Sequence, residues 1–184
     1  DIIKKIYMKK KILITGGTGF LGSNISRYLL NQGHKVTILD NNFRGKNSRI
    51  KEIIKKIIYI KGDIRDRNLV IKSFKNIDTV IHLAFINGTK FFYEKPIDVL
   101  EVAIKGIINT IEACIKNSCH YVDITGESFW IKDMIDKHHQ AATDKGIRII
   151  NACGFDSAPS DLGVFYSVNQ VDGEVKKVQC FQAW

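Results

Sequence analysis

The chain has 184 residues, a formal net charge of +9 and 45% hydrophobic residues. That length supports one core of ordinary size, and the apolar content excludes a disordered, low-complexity chain. No apolar run is long enough to cross a bilayer as a helix, so a membrane partner is not expected. The excess of lysine and arginine lies in the first third of the chain and reads as a solvated lysine surface rather than a nucleic-acid patch.

Cys114, Cys119, Cys153 and Cys180 form no CxxC pair, and no histidine stands at zinc-like spacing from two of them. The expectation is reduced thiols in a cytoplasmic protein with no metal site. His138 and His139 are adjacent, so on a helix they point in different directions and read as surface residues. Residues 1–7 lack an initiator Met and are too short and charged for a signal peptide, and Met8 directly precedes the first strand, so residues 1–9 read as an upstream N-terminal extension or a fragment boundary.

In chain order, KILIT at residues 11–15 is a short apolar strand, and residues 19–31 have helical spacing at Leu21, Ile25, Tyr28 and Leu29. Gly33 stops that helix, and a second strand over 36–39 ends at Asp40. The pattern then predicts a helix near 48–54, a strand at 57–60, a helix near 67–74 and a strand at 79–83. A long helix over 96–117 opens with Pro96 and repeats apolar residues at Val99, Val102, Ile107, Ile111 and Ile115. Beyond it come a strand at 120–124, a helix near 129–145, a strand at 148–151, a helix near 160–168 and a last strand near 175–181. Such alternation predicts an α/β fold, a doubly wound and mainly parallel sheet, as a single domain.

Gly16, Gly19 and Gly22 lie in TGGTGFLG, between the first strand and the first helix. At that place each glycine has a mechanical use: the tight turn, the close approach of a pyrophosphate, and the packing of helix on sheet. The free N–H groups of the helix's first turn would then hold phosphate charge. Asp40, closing the second strand, is placed to accept hydrogen bonds from an adenosine ribose. Its carboxylate repels a 2′-phosphate, which favours NAD over NADP, while Arg44 could offset this by pairing with a phosphate.

These residues resemble the extended short-chain dehydrogenase/reductases, specifically the NAD-dependent nucleotide-sugar epimerases and dehydratases. The resemblance rests on TGGTGFLG, LDNNFRG at residues 39–45, KGDIRD at 61–66, VIHLAF at 80–85 and INGTKFFYEKP with the helix after it, and covers about residues 10–117. It implies the Rossmann NAD(P)-binding fold over residues 10–170 and hydride transfer between a sugar carbon and nicotinamide. It also implies Gly16, Thr18, Gly19, Phe20, Leu21, Gly22, Asp40, Asn41 and Arg44 as cofactor-binding residues. Asp63 and Ile64 would contact the adenine, and Leu83, Ala84 and Phe85 would line the pyrophosphate and nicotinamide side. The implied partners are a dinucleotide cofactor, a nucleotide-sugar substrate and a second copy of the chain in a homodimer. His82, at a strand end, reads as a partly buried histidine holding a loop.

Two features depart from the family pattern. Where such enzymes usually have VNVKGT in the long helix, this chain has VAIKGI, with Ala103 and Ile107 removing a polar anchor near the cofactor. The family's Tyr-x-x-x-Lys dyad is also missing: only Tyr7 has a lysine, Lys11, at the fourth following position, and that pair precedes the first strand. No catalytic residue is therefore assigned. Thr125, just after the fifth strand, is at the place where a Ser or Thr could face the nicotinamide, but without Tyr and Lys it reads as only a polar neighbour; Asp123 and Glu127 flanking it are carboxylate candidates for a general base.

From about His120 the sequence resembles saccharopine-dehydrogenase-like proteins and trans-acting enoyl reductases, through HYVDITGE and the stretch ending GFDSAPSDLGV. The change of resemblance falls near residues 117–120, and residues 171–184 would carry the last strand, the start of a substrate domain. A saccharopine-dehydrogenase-like reductase truncated before its substrate domain, or a non-catalytic NAD-binding module, is the alternative reading. Asp156, Ser157, Ser160 and Asp161 read as a helix cap, with Ser157 or Ser160 opening the last helix.

Overall fold

The computed structural model describes residues 8–155 and 157–179. Six parallel strands form one sheet: β1 (Lys11–Thr15), β2 (Lys35–Asp40), β3 (Ile58–Lys61), β4 (Thr79–His82), β5 (His120–Asp123) and β6 (Ile149–Ile150), in the spatial order β3-β2-β1-β4-β5-β6. The strand order reverses between β1 and β4, so a crevice opens at their carboxyl ends.

The apolar runs of β1 and β2 are buried on both faces, as the centre of a parallel sheet requires, whereas β4 and β5 bury every second residue. Successive residues of a strand point to opposite faces, so Ile12, Ile14, Val36 and Ile38 pack into one cluster under helix α1 (Phe20–Asn31). Leu13, Leu39 and Val80 point the other way, into the larger cluster with Val70 and Phe74 of α2 (Arg67–Ser73) and its flank. The same cluster takes in Ile111 and Cys114 from the long helix before β5 and Met134 from the helix after it. Asp66 caps α2, its carboxylate accepting the Leu69 N–H at 3.0 Å.

Four local expectations are corrected. Instead of one helix near 48–54 there are two 3-10 turns, Asn47–Ile50 and Ile54–Lys56. Ile50 and Ile53 are buried there at a spacing of three, which suits a 3-10 turn, and β-branched side chains weaken an α-helix. A short helix, α3 (Thr89–Glu94), stands where none was expected. The long helix is realised as α4 (Pro96–Glu101), a π turn over Val102–Gly106, and α5 (Ile107–Asn117).

The fourth correction concerns the C-terminal part. After β5 and α6 (Ser128–Asp144), β6 keeps only Ile149–Ile150, and α7 (Ala158–Val168) begins with Ser157 at its N-cap and no side-chain cap bond. Ser160 lies inside α7. Residues 174–179 carry no strand, so the described part of the expected last strand is irregular, while 180–181, like Asp156 and residues 1–7 of the N-terminal extension, lie outside the described residues.

Candidate cofactor cleft

The turn from β1 into α1 is built by close backbone contacts. Gly16 has φ +71°, and a Cβ there would lie 2.8 Å from the Leu83 carbonyl carbon. A Cβ on Gly22 would lie 2.3 Å from the Gly16 carbonyl oxygen, so α1 can start this near the sheet only with glycine. The turn is tied to β2 by one carboxylate. Asp40 is buried; its Oδ2 accepts the Thr18 N–H at 3.0 Å and its Oδ1 accepts the Asn42 N–H at 2.7 Å. Thr18 Oγ1 donates to Asn42 Oδ1, and Asn42 Nδ2 donates to the Tyr59 hydroxyl.

A second clamp joins β1 to β4. Thr15 Oγ1 accepts the N–H groups of Leu83 at 3.1 Å and Ala84 at 3.2 Å, and lies 2.8 Å from His82 Nδ1. With two donors already on that oxygen, the threonine hydroxyl donates to Nδ1, which places the imidazole proton on Nε2. His82 is buried and stacks on Tyr121, and burial lowers its pKa to about 4 against a smaller opposing pull from Asp123, so the ring is neutral. The histidine thus has a holding role at the end of β4, and it is buried rather than partly buried as expected.

Two adjoining clefts open along the carboxyl ends of the strands. The smaller, of about 90 Å³, is lined by Asp40, Asn41, Asp63 and Ile64 beside Gly45 and Gly62. The larger, of about 790 Å³, runs from Gly16, Gly19, Phe20, Leu21 and Gly22 to Thr125, Glu127 and Trp130. Gly16, Gly19, Arg44, Leu83, Ala84 and Phe85 line both. Thirteen of the fourteen residues anticipated from the sequence therefore border one continuous groove. Thr18 does not: it is fully buried behind the turn, where it holds Asp40.

Asp63 is more heavily engaged than a free base-reading carboxylate would be. Its Oδ1 accepts from the Arg65 backbone and Nε, and its Oδ2 accepts from Arg65 Nη2 and from Asn41 Nδ2 at 2.9 Å. Burial pushes its pKa up, but the bonds from Arg65 and Asn41 outweigh that and hold it below the ordinary value. Arg65 continues to Asp98 at 2.7 Å and Glu101 at 3.1 Å, fastening this loop to α4. The carboxylate candidates near Thr125 also separate. Asp123 is buried and accepts from the Tyr121 hydroxyl, Asn151 Nδ2 and the Thr125 N–H, so it is a structural hub; Glu127 is exposed at the cleft.

Ala103 and Ile107, placed near the cofactor by the sequence, give the cleft an apolar wall in and just after the π turn, together with Ile104, which sequence reasoning missed. A polar anchor for the adjacent loop is nonetheless present: buried Asn109 donates to the carbonyls of Ile64 and Arg65, each at 3.0 Å. An asparagine on the inward face of an apolar helix was the available signal.

The model of the family described as NAD dependent epimerase/dehydratase matches residues 12–129. The chain is 40% identical over 109 residues to the UDP-N-acetyl-alpha-D-glucosaminuronate decarboxylase of Bacillus cytotoxicus, covering 59% of this chain and 34% of that protein. It is also similar to the human saccharopine dehydrogenase-like oxidoreductase, at 45% identity over 71 residues, 39% of this chain and 17% of that protein. It therefore spans about a third of the length of the first relative and less of the second. The solved UDP-glucose 4-epimerase of Thermus thermophilus, in complex with NAD, superposes with a TM-score of 0.63 at 25% identity, over 77% of this chain and 53% of that one. Glycine turn, acidic strand end and helix wall stand together on the strand order of a doubly wound nucleotide-binding sheet, and with the match over residues 12–129 the chain belongs to the NAD dependent epimerase/dehydratase family.

Proposed function

We propose that this chain is the NAD-binding domain of an epimerase/dehydratase-type oxidoreductase that transfers hydride between a nucleotide-sugar carbon and nicotinamide. The observation that carries the reading is the bond from the Thr18 N–H to the Asp40 carboxylate, which couples the glycine turn to the β2 acid across one groove. The residues fit a dinucleotide: Gly16 and Gly22 let the backbone of the turn and the start of α1 pack close against the sheet, and with Gly19 they line the large cleft without a side chain. In this reading Asp40, Asn41, Asp63 and Ile64 hold the adenosine. The first-turn N–H groups of α1 meet the diphosphate, and Leu83 to Phe85 with Thr125 surround the nicotinamide. Bound NAD supplies the hydride acceptor. The buried carboxylate of Asp40 favours NAD over NADP by repelling a 2′-phosphate.

Without a Tyr-x-x-x-Lys dyad, the groups on the cleft that can hold or move a proton include the Thr125 hydroxyl and the Glu127 carboxylate, beside the neutral imidazole of His82. Buried, unpaired Cys114 and Cys119 suit a reducing compartment such as the cytoplasm. Titration with NADH, followed by nicotinamide fluorescence, tests the reading. Saturable binding is expected, and Gly19→Trp should abolish it, because a Cβ at residue 19 already lies 3.0 Å from the Gly16 carbonyl oxygen and an indole would occupy the phosphate position. Absent binding, or equal binding by the variant, overturns it.

A further inference from the structure

Arg44 stands apart from the other charged groups of the groove. It lines both clefts at their junction, and among the described residues its guanidinium enters no ion pair of the kind that ties Arg65 to Asp63 and Asp98. The other arginine on the large cleft, Arg49, is already turned to the Thr18 carbonyl at 3.4 Å. Arg44 is propped on an aromatic face instead: its Cζ lies 5.2 Å from the ring centroid of Phe91 in α3. Phe91 in turn meets Phe43 at 5.6 Å, and Lys95 lies 5.0 Å from the Phe43 centroid. The stack fixes the direction of the guanidinium. A Cβ on Gly88 would lie 3.5 Å from Arg44 Nη1, so the fork sits on the β4 side of the groove, while the Asp40 carboxylate stands on the β2 side.

We infer that Arg44 receives the diphosphate of the bound dinucleotide and that Phe91 is its positioning residue; this rests on the dinucleotide reading above. A diphosphate linking an adenosine in the small cleft to a ring in the large one has to cross the shared stretch, and it arrives there with two negative charges. The first turn of α1 offers N–H groups from one side, and Arg44 offers a planar fork from the other. Stacking on an aromatic ring keeps that fork partly desolvated and oriented before the ligand arrives. The same placement argues against a 2′-phosphate as the partner, since that group would sit beside the Asp40 carboxylate. The short helix α3 thereby acquires a role in cofactor binding without touching the cofactor.

The test compares wild type, Arg44→Met, Arg44→Lys and Phe91→Leu in binding NADH, NADPH, ADP-ribose and adenosine, with thermal unfolding to verify folding. Arg44→Met keeps the apolar stem and should weaken NADH and ADP-ribose by about tenfold, the size of one lost charge-assisted contact, while leaving adenosine within about twofold. It should also flatten the salt dependence of NADH binding, and Arg44→Lys should recover part of the loss. Phe91→Leu should weaken ADP-ribose less than Arg44→Met does, and the double variant should be no weaker than Arg44→Met alone. Equal loss for adenosine, or a larger loss for NADPH than for NADH, overturns the diphosphate assignment; independent, additive losses overturn the role of Phe91. Wild type that binds ADP-ribose but not NADH would remove the dinucleotide reading and leave Arg44 assigned. Wild type that binds neither removes both.

Discussion

At residue 40 one carboxylate performs two tasks. Its oxygens satisfy two backbone donors, Thr18 N–H and Asn42 N–H, and its edge forms part of the small cleft. Asp40→Ala should therefore weaken NADH by one to two orders of magnitude, about 1.4 to 3 kcal/mol, through loss of a charged acceptor for the ribose hydroxyls. NADPH should lose less, because the repulsion of its 2′-phosphate disappears with the carboxylate. Parallel fluorescence titrations measure both, and a greater loss for NADPH would reverse the cofactor preference. Asp40→Asn separates the two tasks: it retains an oxygen for one backbone N–H, so it should keep more stability than alanine while still losing NADH affinity.

At the scale of elements, the helix between β4 and β5 positions the groove through its irregularity. The π turn at Val102–Gly106 turns Ala103 and Ile104 to the large cleft, and Gly106 packs so close to the loop after β3 that a Cβ would clash with Ile64 Cδ1. One turn later Asn109 holds the Ile64 and Arg65 carbonyls. Asn109→Ala leaves two carbonyls without their donor in a buried place and should lower stability by about 2 kcal/mol, seen as a lower urea midpoint at unchanged slope. NADH binding should weaken with it as the loop loosens; an unchanged midpoint would show that the loop is held by the Arg65 ion pairs alone. The glycine turn between β1 and α1, and Asp40 at the end of β2, were legible in the sequence, because apolar runs and glycines at a strand-to-helix junction are local signals. Asn109 was legible only as a polar residue on an apolar helix face; its role was not, since it depends on carbonyls forty-odd residues away in the chain. Arg44 was readable as a phosphate ligand, but the side of the groove it serves depends on Phe91, whose helix has no strong local signature. The 3-10 turns at 47–56 were hidden for the opposite reason: a helical-looking spacing of isoleucines fits the tighter turn equally well.

At the scale of the whole molecule, the strands on either side of the crevice meet at β1 and β4, and their carboxyl ends are joined by Thr15 and His82. His82 also stacks on Tyr121 of β5, so one neutral imidazole touches three adjacent strands. In the folded protein burial holds its pKa at about 4, whereas in the unfolded chain it returns to about 6.5. Between those values the unfolded state binds more protons, so stability falls as the pH drops from about 6.5 towards 4 and this contribution levels off below 4. The full loss from this residue is about 3 kcal/mol. Urea unfolding of wild type and His82→Asn at pH 7.5, 6 and 5 measures it. The asparagine can still meet Thr15 but does not titrate, so the variant should start less stable at pH 7.5 and lose less on acidification. Other histidines with lowered pKa values, His120 and His138, are common to both proteins and cancel in the difference. Identical pH slopes would show that His82 can take up a proton without disturbing the junction of β1 and β4, and would remove it as the acid-sensitive point of the fold.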